Sequence, residues 1–274
     1  MKRLLAGMFF FGLGWSQRPV GRESLPDAKS LVDRHVQESG GWEALQSVRT
    51  LIVRGRISFA ELGVSGKVTV YEGEEGETYQ VMELPGAGKV ETGNNGDVEW
   101  ERSTIAGPKI VRVASVPGGL LRPSALRGLS LLPSVKMETI GLDRVDGRPC
   151  YQVRLSPPAP LPAQTQCYDR DSGFLTRTSL SIRLGDSTMQ VVTVLRDYRD
   201  TGPVKNPFVT ETQMPGQSFR IDSDSVHVNE PLPPEALDLP EDIRILAARK
   251  KDDMRTLEPE DDPDRPKLRR KKKR

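Results

Sequence analysis

Histidine and cysteine are almost missing from this sequence, with two of each in 274 residues. His35 and His227 stand far apart, each without a cluster of other ligand types. That argues against a Ser-His-Asp hydrolytic site and against a histidine-based metal centre. Aromatic residues make up 5% and do not interleave with a basic face, so no stacking platform for single-stranded nucleic acid is built. Charge of one sign is lacking too: 40 basic against 38 acidic residues leave +2, no field to gather a polyanion. HExxH, GxSxG, the P-loop and GxGxxG do not occur. The acidic pairs Glu74-Glu75 and Asp252-Asp253 fall in a turn and in the tail, where carboxylates are solvated. Paired-carboxylate catalysis instead needs partners from separate elements. No catalytic residue, metal or cofactor is assigned. The expected role is non-enzymatic, with no specific nucleic-acid partner.

The one long apolar run is at the start. Lys2 and Arg3 precede Leu4–Trp15, and Gly14-Trp15-Ser16 offers small residues for a peptidase. Residues 1–16 read as a signal peptide cleaved near Ser16, for export to the periplasm; the alternative is an uncleaved inner-membrane anchor. At the other end, 247–274 reads as a disordered charged tail, acidic over Glu258–Asp264 and basic over Lys267–Arg274. The domain lies between, over 26–246.

What is plentiful is strand and turn signal. From Val145 to Arg199, short runs rich in Val, Leu, Thr and Tyr alternate with turn clusters such as Asp146-Gly147, Ser156-Pro157-Pro158 and Asp171-Ser172-Gly173. The spacing predicts strands over Pro149–Leu155, Thr165–Asp169, Leu175–Arg183 and Met189–Tyr198, antiparallel because the connections are short. Cys150 and Cys167 fall one on each strand of the hairpin whose tip is Ser156–Ala163. A disulfide there would be worth about 3 kcal/mol in the chain-entropy model.

Before this meander, Leu31, Val32, His35 and Val36 recur at helical spacing behind Asp27 and Ser30 as caps, with His35 half-buried. Gly40-Gly41 stops that helix, and Trp42–Val48 forms a second short one. Strands follow over Leu51–Ile57, Gly66–Tyr71, Glu77–Leu84, Lys89–Thr92, Val98–Arg102 and Lys109–Ala114, with Asn94-Asn95-Gly96-Asp97 as a hairpin turn. Trp100 is expected at a core or lining position. The segment Pro117–Pro133 breaks the rhythm. Leu120, Leu121, Leu126, Leu129 and Leu132 crowd a short helix that reads either as a plug for a curved sheet or as a lid over an apolar cavity. After Tyr198 come strands over Pro203–Thr210 and Gln217–Ser223, then a last edge at Val226–Asn229. Pro231–Leu237 is a stiff cap across the sheet.

Three stretches carry a resemblance. Gly40-Gly41-Trp42-Glu43-Ala44-Leu45 leads into Val48-Arg49-Thr50-Leu51. Val90–Trp100 places an Asn-Gly turn before a Trp strand. Tyr168-Asp169-Arg170-Asp171-Ser172-Gly173-Phe174-Leu175 is followed by Asp197-Tyr198-Arg199. In these, over roughly Leu31–Leu239, the chain resembles the outer-membrane lipoprotein-sorting (LolA/LolB-like) family of periplasmic carriers. The resemblance implies a mainly β (α+β) fold, an incomplete antiparallel β-barrel wrapped around an N-terminal helix and a short leucine-rich lid helix. It implies a lipid or lipoprotein acyl chain as ligand, and it allows an envelope protein as partner. The family's Arg-Pro, whose Arg latches the lid, is matched here by Glu72-Gly73. The apolar lining expected is Leu120, Leu121, Leu126, Leu129, Leu132 and Trp100, in a monomer. The other reading is a structural or interaction domain of the envelope with no ligand.

Overall fold

A computed structural model describes residues 24–111, 134–158, 162–184 and 187–257. The expected signal peptide, the leucine-rich lid and the tail beyond residue 257 lie outside them.

Helix α1 (Ala28–Glu38) starts where the Asp27 carboxylate accepts the Ser30 backbone N–H at 3.1 Å, satisfying a donor the helix leaves unpaired. Its apolar residues Ala28, Leu31 and Val32 recur three to four apart and are buried, as one face of a helix must be. It ends at Gly40, whose φ of 122° suits glycine. A Cβ on Gly40 would lie 2.4 Å from the Pro203 carbonyl oxygen, so the helix end packs directly on that loop. Helix α2 (Trp42–Gln46) follows.

The rest is sheet. Its strands are β1 (Leu51–Phe59), β2 (Val64–Glu72), β3 (Thr78–Leu84), β4 (Gly88–Asn94), β5 (Glu99–Ser103), β6 (Gly107–Ile110), β7 (Lys136–Val145), β8 (Arg148–Ser156), β9 (Gln164–Asp169), β10 (Leu175–Leu184), β11 (Ser187–Asp200), β12 (Lys205–Met214) and β13 (Gln217–Val228). All thirteen form one antiparallel sheet in the order β6-β5-β4-β3-β2-β1-β13-β12-β11-β10-β9-β8-β7. Two meanders, β1 to β6 and β7 to β13, join at the β1–β13 seam, where Ile57 opposes Ile221. Among the described residues β6 and β7 pair on one side only, so the barrel is incomplete. Helix α1 packs on the β7–β11 arm, where Leu31 and Val32 meet Val153, Leu155, Tyr168, Leu175 and Leu195. Burying each such side chain is worth about 1.5–3 kcal/mol.

Three expectations need correction. Lys136–Val145 was not expected as a strand. It is β7, an edge that pairs only with β8. Gln217–Ser223 and Val226–Asn229 are not two pieces ending at an edge. They are the single strand β13, central in the sheet and paired on both sides, with a register shift at Arg54/Gly55 of the facing strand that absorbs one residue. The tail expected from residue 247 begins inside helix α3 (Glu241–Leu257). Glu241 and Asp242 suit its positive N-terminal end, and Ile243 is fully buried.

Candidate functional site

The strand register divides the sheet cleanly, because alternate side chains point to opposite faces. Following partners from strand to strand puts Tyr151, Tyr168, Leu175, Leu195, Thr210, Ile221 and Ile57 on one face. The next row on that face is Val153, Gln166, Thr178, Thr193, Thr212 and Phe219, and the next is Leu155, Gln164, Leu180, Val191 and Met214. Across the seam the same face continues through Phe59, Val68, Val70, Met82, Leu84 and Val90. This is the inner face, the one that α1 covers at its β7–β11 end.

The inner face is apolar in two broad areas and turns polar toward the β5–β6 edge, through Gln80 and Thr92 to the Glu101–Lys109 ion pair. One cluster gathers Ile57, Phe59, Val68 and Met82, with Val70, Leu84, Val90, Phe219 and Ile221 half-buried around it. A second gathers Leu180, Ile182 and Val191, with Met189 and Met214 beside it. Between β8 and β12 the buried polar residues of this face are uncharged: Gln164, Gln166, Thr178, Thr193 and Thr212. Thr193 and Thr212 share a hydrogen bond at 3.2 Å across the strands, and the Tyr168 hydroxyl donates to the Gln166 side-chain oxygen.

The outer face is built differently. Arg196 bridges Asp146 and Glu211, Arg177 pairs with Asp143, and Arg220 pairs with Asp222. Cys150 and Cys167 are also here, joined in a disulfide with Cα atoms 5.5 Å apart. They are diagonal neighbours across β8 and β9, since Cys150 opposes Asp169 and Cys167 opposes Gln152.

Trp100 also belongs to the outer face. It opposes Gly93, beside Glu91 and Arg102 in the register, while Val90 opposes Ser103. Its expected place in the apolar lining is therefore corrected. Tyr71, Tyr79 and Trp100 stack in a row there, with centroids 5.9 Å apart at each step. Arg102 forks onto Glu91 at 2.8 and 2.9 Å and reaches Asp242 of α3 at 3.3 Å. Burial pushes the Glu91 carboxyl up, but hydrogen bonds from Arg102, Tyr79 and Lys89 outweigh it and hold the group at about 2. Burial and the same hydrogen bond raise the Tyr79 hydroxyl. This network fastens the C-terminal segment to the outside of the sheet; no vacant acid–base pair results. The expected leucine lining of the inner face, Leu120, Leu121, Leu126, Leu129 and Leu132, lies outside the described residues.

The histidines carry no chemistry that the geometry reveals. His35 is buried rather than half-buried, among the rings of Tyr168, Phe174 and Tyr198 at 5.6, 6.4 and 6.3 Å. Its Nδ1 accepts the Leu175 N–H at 3.2 Å, which ties α1 to the start of β10. His227 lies 2.7 Å from Glu230 near the surface. Among the described residues, no three His, Cys, Asp or Glu side chains converge as a metal site requires, and no helix is long and apolar enough to cross a membrane. A cleft of about 570 Å³ lies between Arg56, Lys67, Glu83 and Asp224; its charges oppose one another, and Leu84 at its wall borders the Ile57–Met82 cluster.

The turn motif Asp169–Gly173 serves α1. The Asp169 carboxylate accepts the Ser172 N–H at 2.7 Å and pairs with Arg148, and the turn's Arg170 and Asp171 carbonyls accept from Arg34 of the helix.

No protein-family model matches the chain, and no curated protein matches it. Solved structures do. A LolA superfamily protein from Nitrosomonas europaea aligns over 78% of this chain and 99% of its own, at 10% identity and a TM-score of 0.51. A DUF1329 family protein from Desulfovibrio piger aligns over 78% and 98%, at 12% identity and a TM-score of 0.50. An outer membrane lipoprotein-sorting protein domain from Vibrio parahaemolyticus aligns over 76% and 95%, at 11% identity and 0.49. At such identities the likeness is one of fold. The chain shares its open antiparallel sheet fold with these proteins.

Proposed function

We propose that the protein is an exported, non-enzymatic carrier or binding protein that holds the acyl chain of a lipid or lipoprotein against the inner face of its sheet. One observation carries this reading. A single face, continuous across the seam, gathers the apolar clusters and the uncharged polar residues of the β8–β12 part, with charge at the β5–β6 edge, where Glu101 pairs with Lys109; the Asp143, Asp146, Glu211 and Asp222 ion pairs stand on the other face. An apolar concavity with a few polar groups is the usual form of a site for such a ligand. The segment 112–133 joins β6 to β7, the two outermost strands of the described sheet. Its leucines Leu120, Leu121, Leu126, Leu129 and Leu132 are proposed as the cover of the same ligand. The periplasm is the proposed compartment, reached with a signal peptide cleaved near Ser16. The Cys150–Cys167 disulfide fits an oxidising environment. The protein is proposed to act as a monomer that passes its ligand to an envelope partner.

Native mass spectrometry of protein purified from the periplasm tests the reading. The expected result is a mass exceeding that of the chain by one lipid, which organic extraction releases. A bare mass, together with no binding of a fluorescent fatty acid, contradicts it and leaves a structural domain of the envelope.

A further inference from the structure

A buried polar atom without a partner has lost its hydrogen bonds to water and regained none, so folded proteins hold few of them. Among the described residues four side-chain atoms are in that state: Thr78 Oγ1, Thr139 Oγ1, and both Nε2 and Oε1 of Gln164. All three residues point to the inner face. Thr78 shares that face of β3 with Met82, Thr139 opposes Val153, and Gln164 opposes Leu155 on one side and Leu180 on the other. Gln164 stands out because its whole amide is unpartnered at 3% exposure, with apolar Leu155 and Leu180 as its cross-strand neighbours. Gln166, one step along the same strand face, receives the Tyr168 hydroxyl and so shows what a satisfied glutamine looks like here.

We propose that Gln164 is a specificity-determining residue that pairs with a secondary amide on the acyl ligand; the proposal rests on the acyl-carrier reading above. A glutamine amide offers N–H donors beside one carbonyl acceptor. A neutral group that answers both has one donor and one acceptor side by side, as a secondary amide does. An ester brings acceptors only and leaves Oε1 unanswered. A carboxylate does the same and brings a charge, and the rows around Gln164 contain no Lys or Arg to meet it. The ligand class is therefore an acyl chain attached through an N–H. Thr139, two strands away and one row along, roughly 12 Å off, takes a second polar atom of the same ligand. The shared chemistry has two sources, a free N-acyl lipid and an N-acylated protein terminus.

Displacement of a bound pyrene-labelled fatty acid methyl ester, a neutral acyl probe, from the full chain tests this. The competitors are N-ethylpalmitamide, with one N–H donor, and its ester isostere ethyl palmitate, with none. The expected result is that the amide competes about tenfold more tightly, which is about 1.4 kcal/mol. Gln164→Leu should bring the two within about twofold, leaving the ester where it was. Gln164→Met, close to the same shape, serves if leucine disturbs folding. An N-palmitoyl hexapeptide that binds as well as the N-ethyl amide supports a protein terminus as the source. A much weaker one supports a free lipid, and both outcomes uphold the amide pairing. Equal displacement by amide and ester in the native chain overturns the inference alone. A preference that survives Gln164→Leu also overturns it, and assigns the amide to a buried water. If neither the neutral fluorescent probe nor the palmitoyl amide binds at all, the carrier reading falls and this inference with it.

Discussion

Glu91 shows how a single buried carboxylate can be kept charged. Three donors surround it, and removing any leaves a charge in a poor solvent. Its folded-state value of about 2 lies below the ordinary 4.5, so the contribution to stability is complete above about pH 4.5 and is lost as pH falls through about 2. The loss expected over that window is on the order of 3 kcal/mol. Urea denaturation at pH 6 and pH 3 should show about 2 kcal/mol of it, the rest being lost below pH 3, and Glu91→Gln should shrink the difference by that amount. Gly93 makes a steric point beside it. A Cβ there would sit 2.5 Å from the Trp100 ring, so Gly93→Ala should cost about 1–3 kcal/mol, read as a lower melting temperature. Trp100 itself is where reading residues one at a time misleads. Its bulk correctly marks a buried position, at 3% exposure. The face it takes depends on its pairing with Gly93 and on a C-terminal segment more than a hundred residues away, and neither is written in the local pattern.

At the scale of elements, the hairpins were the most legible, because a turn residue and an alternating run act within ten residues of each other. Asn94 and Asn95 accept backbone N–H groups from Gly96 and Val98, as an Asn-Gly turn should. β7 escaped because Lys136–Val145 carries a glycine, charges and few apolar residues, which an edge strand tolerates. α3 escaped because the charges of Lys250–Asp253 mask the short apolar stripe around Ile243. Two predictions belong here. Leu31→Ala should cost about 2–5 kcal/mol and loosen α1, because the cluster it leaves includes the fully buried Val153 and Leu155. Hydrogen exchange at α1 reports it. Replacing both Cys150 and Cys167 by alanine should cost about 3 kcal/mol in a denaturant titration, by freeing a loop of 17 residues in the unfolded chain.

The whole molecule is two meanders joined along β1 and β13, and that seam makes one surface of what would otherwise be two small sheets. No local signal announces a contact between residues about 165 apart, so the seam was hidden while the strands on either side were clear. Its consequence is the continuous inner face. An acyl chain with a photoreactive diazirine near its terminus gives the most direct measurement of what that face does. After illumination of the loaded protein and digestion, cross-links are expected on inner-face residues such as Ile57, Val68, Phe219 and Leu180. Cross-links confined to outer-face residues such as Tyr71 and Trp100, or none above an unloaded control, would contradict the account.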